Sequence, residues 1–242
     1  MRRTAFADLA LLSALLLAAP SAALAQHEAS AALVISVPLD EFDDNTDTGF
    51  GFQASYVRAL HPSRAIAIGA TGSFLNYGSA ERRVALSPTI PDIRADVETN
   101  NNMGFLQGLI RLKAPLDVVQ PYVQGTAGLG FFATTTTLED IVTDEAVISD
   151  TNQSDVTYVW GGGGGMQIHV YTSEQTAEME TAGREPMRVY LDVGAHYLEG
   201  GEAEYLREGS LVTDEGRFDL DRRLVESEIE LAQVRIGVSF EF

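Results

Sequence analysis

From Gln26 onward, apolar side chains recur at every second position, and they do so in eight separate stretches. A strand turns its side chains alternately to two faces, so this period specifies sheet and excludes an amphipathic helix. The stretches run about 31–39, 49–60, 65–75, 104–114, 121–133, 156–171, 187–198 and 229–242. In the first, Leu33, Ile35, Val37 and Leu39 share a face. In the fourth, Leu106, Ile110 and Leu112 oppose Gln107, Arg111 and Lys113. In the last, Val234, Ile236, Val238, Phe240 and Phe242 oppose Gln233, Arg235, Ser239 and Glu241. Eight consecutive strands of this kind predict an all-β chain: an eight-stranded antiparallel up-and-down barrel.

The connections alternate too. Residues 61–63 and 115–120 are short turns and 172–186 a longer one, whereas 40–48, 77–103, 134–155 and 199–228 are long and polar. Short turns at one end and long loops at the other are the asymmetry of a transmembrane barrel. An even strand count then puts both ends of the barrel on the short-turn side. Charge indicates which face looks outward. The formal net charge is -19, yet the polar faces of the strands carry mostly Gln, Ser, Thr and Gly. The acid sits in the long connections, as in Glu41-Phe42-Asp43-Asp44, Glu139-Asp140, Asp144-Glu145 and Asp214-Glu215. A soluble barrel would carry Lys and Glu along its strand exteriors. The expectation is therefore an apolar exterior against lipid and a small polar interior. Phe50, Phe52, Phe74, Phe131, Tyr158, Trp160 and Tyr197 near the long-loop ends, with Tyr56 and Phe240 opposite, read as two interfacial girdles. The alternative is a secreted, lipocalin-like carrier with its apolar face inward.

Two compositional facts narrow the function. The chain has no cysteine, which excludes a disulfide scaffold, a thiolate metal site and a cysteine nucleophile. A strongly acidic balance leaves no basic surface for nucleic acid. The N-terminus carries an address. Arg2 and Arg3 precede the apolar run from Leu9 to Ala19, which is too short to span a membrane. Pro20 ends the run, and Ala23-Leu24-Ala25 fits the small-x-small cleavage pattern, with Ala23 and Ala25 directing cleavage before Gln26. Residues 1–25 are thus expected to be a signal peptide and 26–242 the transmembrane barrel domain.

Val234 to Phe242 ends in phenylalanine, with Ile236, Val238 and Phe240 at every second position before it. This strand resembles the C-terminal assembly signal of bacterial outer-membrane barrels. Together with the export signal and the eight strands, the chain from Gln26 to Phe242 resembles the small outer-membrane barrels of the OmpA/OmpX-like type. The resemblance implies the outer membrane of a Gram-negative bacterium and insertion by the barrel assembly machinery. It implies contact with outer-membrane lipids and lipopolysaccharide, a monomer, no cofactor, and a non-enzymatic structural or surface-interaction role. Two departures matter. The peptidoglycan-binding domain of longer OmpA-type proteins is expected to be lacking, and the turn 172–186 is long for a periplasmic hairpin.

Candidate chemistry lies on the polar face. Some eight-stranded barrels are lipid A-modifying enzymes, and His196 with Asp192 on one strand face is the pair from which a triad could assemble. A narrow pore is the other alternative. The simpler expectation is a lumen network of Arg111, Lys113, Arg188, Asp192, His196, Arg235 and Glu241, in which Asp192 meets at least one arginine, because buried charge must be paired. His61 and Ser63 fall in a turn, and Gly161 to Gly165 lacks the lysine of a phosphate loop. Residues 40–47 lack the glycine and glutamate of a calcium loop, so no ordered metal site is expected. Weak, collective divalent binding by the first and third long loops is the alternative to simple solvation.

Overall fold

The computed structural model describes residues 27–43, 46–85, 94–140, 146–175, 185–206, 213–214, 217–218 and 224–242. The proposed signal peptide and its cleavage residues Ala23, Ala25 and Gln26 lie outside them. Eight strands form the barrel: β1 (His27–Pro38), β2 (Gly49–Ala59), β3 (Ile66–Ala85), β4 (Arg94–Lys113), β5 (Val119–Asp140), β6 (Ala146–Thr172), β7 (Arg188–Leu206) and β10 (Leu224–Glu241). The short strands β8 (Thr213–Asp214) and β9 (Arg217–Phe218) pair with each other in the last long connection. A single turn of helix, α1 (Asp40–Asp43), follows β1. Each barrel strand pairs antiparallel with its neighbours in sequence, and β10 closes onto β1.

The closing seam runs from Glu28↔Glu241 to Pro38↔Leu231. Beyond it, His27 and Phe242 exchange both backbone hydrogen bonds at 2.9 Å, so the two ends of the barrel meet at the short-turn side. The C-terminal strand therefore leaves no unpaired edge in the barrel wall.

The strands are longer than the alternation predicts. β3 reaches Ala85 where the pattern stops at 75, β4 starts at Arg94 rather than 104, and β6 starts at Ala146 rather than 156. Much of what reads as long loop is paired sheet. The cause is parity. Bulges at Asn76/Gly78, Thr134/Thr135 and Glu228/Glu230 shift the register and break the two-residue period where the strands leave the apolar band. β1 also begins earlier than expected, at His27, which brings Glu28 into the wall.

The two faces of the wall differ as the composition of the alternating positions requires. Outside, large apolar side chains stand exposed on every barrel strand: Leu33 is 69 % exposed, Phe50 61 %, Leu106 60 %, Val123 58 % and Tyr158 65 %. The residues ascribed to the C-terminal assembly signal lie there as well, with Ile236, Val238 and Phe242 exposed. Phe50, Phe52, Phe74, Phe131, Tyr158, Trp160 and Tyr197 are all exposed outside. Inside, the upper half toward the long loops is a cluster of Val34, Leu75, Met103, Phe105, Phe132, Val159, Leu198, Ile229 and Leu231. Phe42 of α1 drops into this cluster fully buried, edge-on to Phe132 at 6.2 Å. The lower half of the interior is mainly polar, with a small apolar cluster of Val57, Ala67 and Leu109 beside the charges.

Candidate functional site

Glu28 is the centre of the polar half. It is 6 % exposed, and its carboxylate accepts from Arg111 Nη1 at 2.5 Å, Lys113 Nζ at 3.0 Å and Gln167 Nε2 at 2.7 Å. Lys113 Nζ also reaches Glu241 Oε2 at 3.3 Å. Arg111 turns its Nε and Nη2 to Gln124 Oε1 at 3.2 and 3.0 Å. The spacing explains the grouping: Arg111 and Lys113 are two residues apart on β4 and so share the inner face, and β1 supplies the carboxylate from across the lumen.

A second cluster surrounds Tyr122. Its hydroxyl donates to Asp192 Oδ1 at 2.6 Å and accepts from Arg235 Nη2 at 2.6 Å. Two guanidinium groups lie against its ring: Arg111 with its Cζ 4.6 Å from the centroid and Arg235 at 5.6 Å. Arg235 also donates to Gln53 Oε1 at 2.9 Å. Asp192 accepts further from Ser239 Oγ at 3.2 Å and Gln167 Nε2 at 3.3 Å. The expected arginine contact of Asp192 is therefore absent among the described residues. Tyr122 stands between acid and arginine, and three neutral donors hold the carboxylate. The two clusters share Gln167 and Gln124, so the charges of the lower lumen form one network in which each buried ion has a partner or several hydrogen bonds.

The remaining predicted residues sit at the edges of this network. Glu241 is buried and meets Lys113 and Arg64. Arg188 is not in the lumen. It is 36 % exposed at the mouth, 3.9 Å from both Glu185 and Glu241. His196 lies higher, hydrogen-bonded to none of the charged side chains, with Nε2 3.0 Å from Thr126 Oγ1, which in turn accepts from Gln107 at 3.1 Å. Above that level the apolar cluster closes the barrel. Sequence reasoning missed Glu28, Tyr122 and Arg64. Tyr122 shares its parity with Gln124, a usable signal. Arg64 sits in the β2–β3 turn with a φ of 59°, and no pattern announces it.

Among the described residues His196 and Asp192 are not hydrogen-bonded to each other. His196 meets a threonine and no carboxylate, and Asp192 is engaged by Tyr122, Ser239 and Gln167. His61 Nδ1 lies 3.0 Å from Ser63 Oγ, but Ser63 N also donates to that same nitrogen in an exposed turn, a local turn contact. No group of three or more metal-ligating side chains occurs among the described residues. The acidic stretches at 44–45 and 141–145 lie outside them.

Fold and interior together define the class: a closed eight-stranded antiparallel β-barrel, filled by side chains, apolar outside, with an apolar upper half and a polar lower half to its interior. Solved structures with a similar outline include Ail, the attachment invasion locus protein of Yersinia pestis. It is 12% identical, with 90% of this chain and 99% of that chain covered and a TM-score of 0.41. Neisserial surface protein A is 10% identical over 90% of this chain and 97% of that one, with a TM-score of 0.45. The N-terminal β-barrel domain of Pseudomonas aeruginosa OprF is 12% identical over 91% and 98%, with a TM-score of 0.34. No protein-family model matches the chain, and no curated protein matches it in sequence. The fold assignment accordingly rests on the strand pairing itself.

Proposed function

We propose that this chain is an integral outer-membrane barrel of a Gram-negative bacterium, exported by its signal peptide, and that its role is structural or surface-binding rather than enzymatic. The observation that carries this reading is the inverted polarity of the wall. Leu33, Phe52, Ile110, Val123, Tyr158 and Val234 are each more than half exposed, and they belong to one apolar band around the outside. Such a band is far larger than the apolar patches a soluble monomer leaves in water. A buried ion network fills the space where a lipocalin-like carrier would hold apolar side chains and its ligand. In lipid the same band is satisfied, and closure of the sheet leaves the wall no open edge.

The interior argues against the two other readings. The apolar cluster with Phe42 closes the upper lumen, so a polar path through the barrel is interrupted, which disfavours a constitutive pore. Among the described residues His196 meets the Thr126 hydroxyl but no acid partner, which disfavours a hydrolytic triad for lipid A. Lipopolysaccharide and the barrel assembly machinery are the proposed partners, and the monomer the proposed state. The test is folding in two solvents. Refolded into detergent or lipid vesicles, the chain from Gln26 should show β-rich circular dichroism and a heat-modifiable gel shift. A chain that folds as a soluble monomer without detergent refutes the proposal.

A further inference from the structure

An arginine stands on the outside of the barrel near its short-turn end. Val57 and Ala59 look into the lumen beside the Glu28 cluster, so Arg58 between them faces outward. Its cross-strand partners are His27 on β1 and Ile68 on β3. His27 pairs in turn with Phe242 through their two backbone hydrogen bonds, which sets Ile68, Arg58, His27 and Phe242 in one outer row. Among the described strand residues that face outward in this half, Arg58 alone carries a permanent charge. Glu28 and Glu241, next to His27 and Phe242 in the chain, are buried on the other face.

The row carries two unused donors. The Arg58 guanidinium has no hydrogen bond or ion pair among the described residues. Glu28 and Glu241 are taken inside by Arg111, Lys113 and Arg64. His27 is the second donor. Its ring is stacked between Tyr56 and Phe242 at centroid distances of 5.7 and 6.0 Å, and its Nδ1 is 2.5 Å from the Tyr56 hydroxyl. With that hydroxyl donating to Nδ1, the ring proton sits on Nε2, which has no partner among the described residues. Tyr56, Leu60 and Ile66 stand exposed around the pair. An arginine at the margin of a lipid-facing wall is costly unless its head reaches water or an anion. No described side chain supplies that anion to Arg58.

We propose that Arg58 and His27 bind the phosphodiester of a glycerophospholipid in the leaflet at the short-turn end. The planar guanidinium takes the phosphate oxygens through parallel N–H bonds. His27 Nε2 adds a donor from the side, held in place by Tyr56 and Phe242. The acyl chains run up the wall over Tyr56 and the exposed Ala54 and Ala31. Charge and place name the occupant. Arg58 calls for an anion, and the row continues directly into the apolar exterior, so the anion has to arrive with an apolar tail. A free phosphate meets the first condition alone, and an uncharged apolar surface the second alone. The site rests on the membrane reading of the wall and adds to it a defined headgroup contact.

The experiment titrates the isotope-labelled barrel, folded in maltoside micelles, with dihexanoyl phosphatidylglycerol. Dihexanoylglycerol, which has the chains without phosphate, and glycerol phosphate, which has the phosphate without chains, are titrated in parallel. The Arg58 Nε and His27 ring nitrogen signals are read. The expected result is saturable shifts of both signals with the phospholipid and at least tenfold weaker binding of the other two probes. Arg58→Gln should weaken the phospholipid at least tenfold. His27→Phe keeps an aromatic ring between Tyr56 and Phe242 but removes the donor, and should weaken it severalfold. A heat-modifiable gel shift shows that each variant is folded and reports on the membrane reading separately. A barrel that folds only in detergent yet gives no saturable shift keeps that reading and loses the site. Equal binding of either control probe, or unchanged affinity in both variants, overturns the proposal. So do Arg58 signals that move with protein concentration in the absence of lipid, which would assign this face to a second copy of the chain.

Discussion

Replacing Gly163 by alanine places a methyl group where the barrel wall has no room. Gly163 faces inward on β6, opposite His196 of β7. A Cβ there would lie 2.2 Å from Ala195 O, 2.7 Å from His196 Cα and 2.7 Å from His196 Nδ1. The first neighbour is backbone, so relief requires β6 and β7 to separate by roughly 1 Å, since carbon and oxygen resist approach inside about 3.2 Å. Overpacking of this kind costs about 1–3 kcal/mol. Stretching two ladder hydrogen bonds adds about 1–3 kcal/mol, and the lower entropy of the unfolded alanine chain returns about 0.4–1 kcal/mol. The net expectation for Gly163→Ala is a loss of about 1–5 kcal/mol by these terms. Gly162 is the control. It faces outward, and a Cβ there meets nothing nearer than Gln124 O at 3.7 Å, an ordinary contact. Gly162→Ala should be neutral or stabilising by about 0.4–1 kcal/mol. The assay is reversible urea unfolding of both variants from lipid vesicles, compared with the parent barrel. Midpoints that coincide for the two variants would refute the claim that the inner glycines of β6 are there for strand approach.

Three further outcomes follow from the interior. Glu28→Gln strips the charge partner from Arg111 and Lys113 and should destabilise the barrel by about 3–5 kcal/mol in the same assay, whereas an unchanged midpoint would remove Glu28 from the centre of the network. Tyr122→Phe keeps the ring against the two arginines but loses the hydroxyl between Asp192 and Arg235, so a loss of about 1–3 kcal/mol is expected, with a double-mutant cycle against Asp192→Asn to isolate the coupling. Phe42→Ala removes a fully buried ring from the upper cluster and should cost about 3–5 kcal/mol. Because Phe105, Phe132 and Leu198 remain in place, planar-bilayer recordings of that variant should still show no steady conductance.

The barrel was legible because one physical demand, apolar outside and polar inside, acts on every second residue of eight strands. Its limits are legible for the same reason. Above the apolar band neither face has to be buried, so alternation decays and residues such as Asn100 to Asn102 and Thr134 to Thr137 read as loop although their backbones remain paired. The interior shows the same division. Parity alone puts Arg111, Lys113, Asp192 and Arg235 on the inner face, and the structure places all four there. Parity says nothing about which wall each side chain meets, because partners across a lumen lie far apart in sequence, 139 residues in the Gln167–Glu28 contact and 182 in the Arg235–Gln53 contact. The expected Asp192–arginine pair fails on that point. A tyrosine, apolar enough to be passed over in a pattern of charges, supplies the hydroxyl that joins acid to base. A side-chain-filled barrel therefore has its wall written locally and its contents written non-locally. Any function carried by the contents has to be read from the geometry of facing strands.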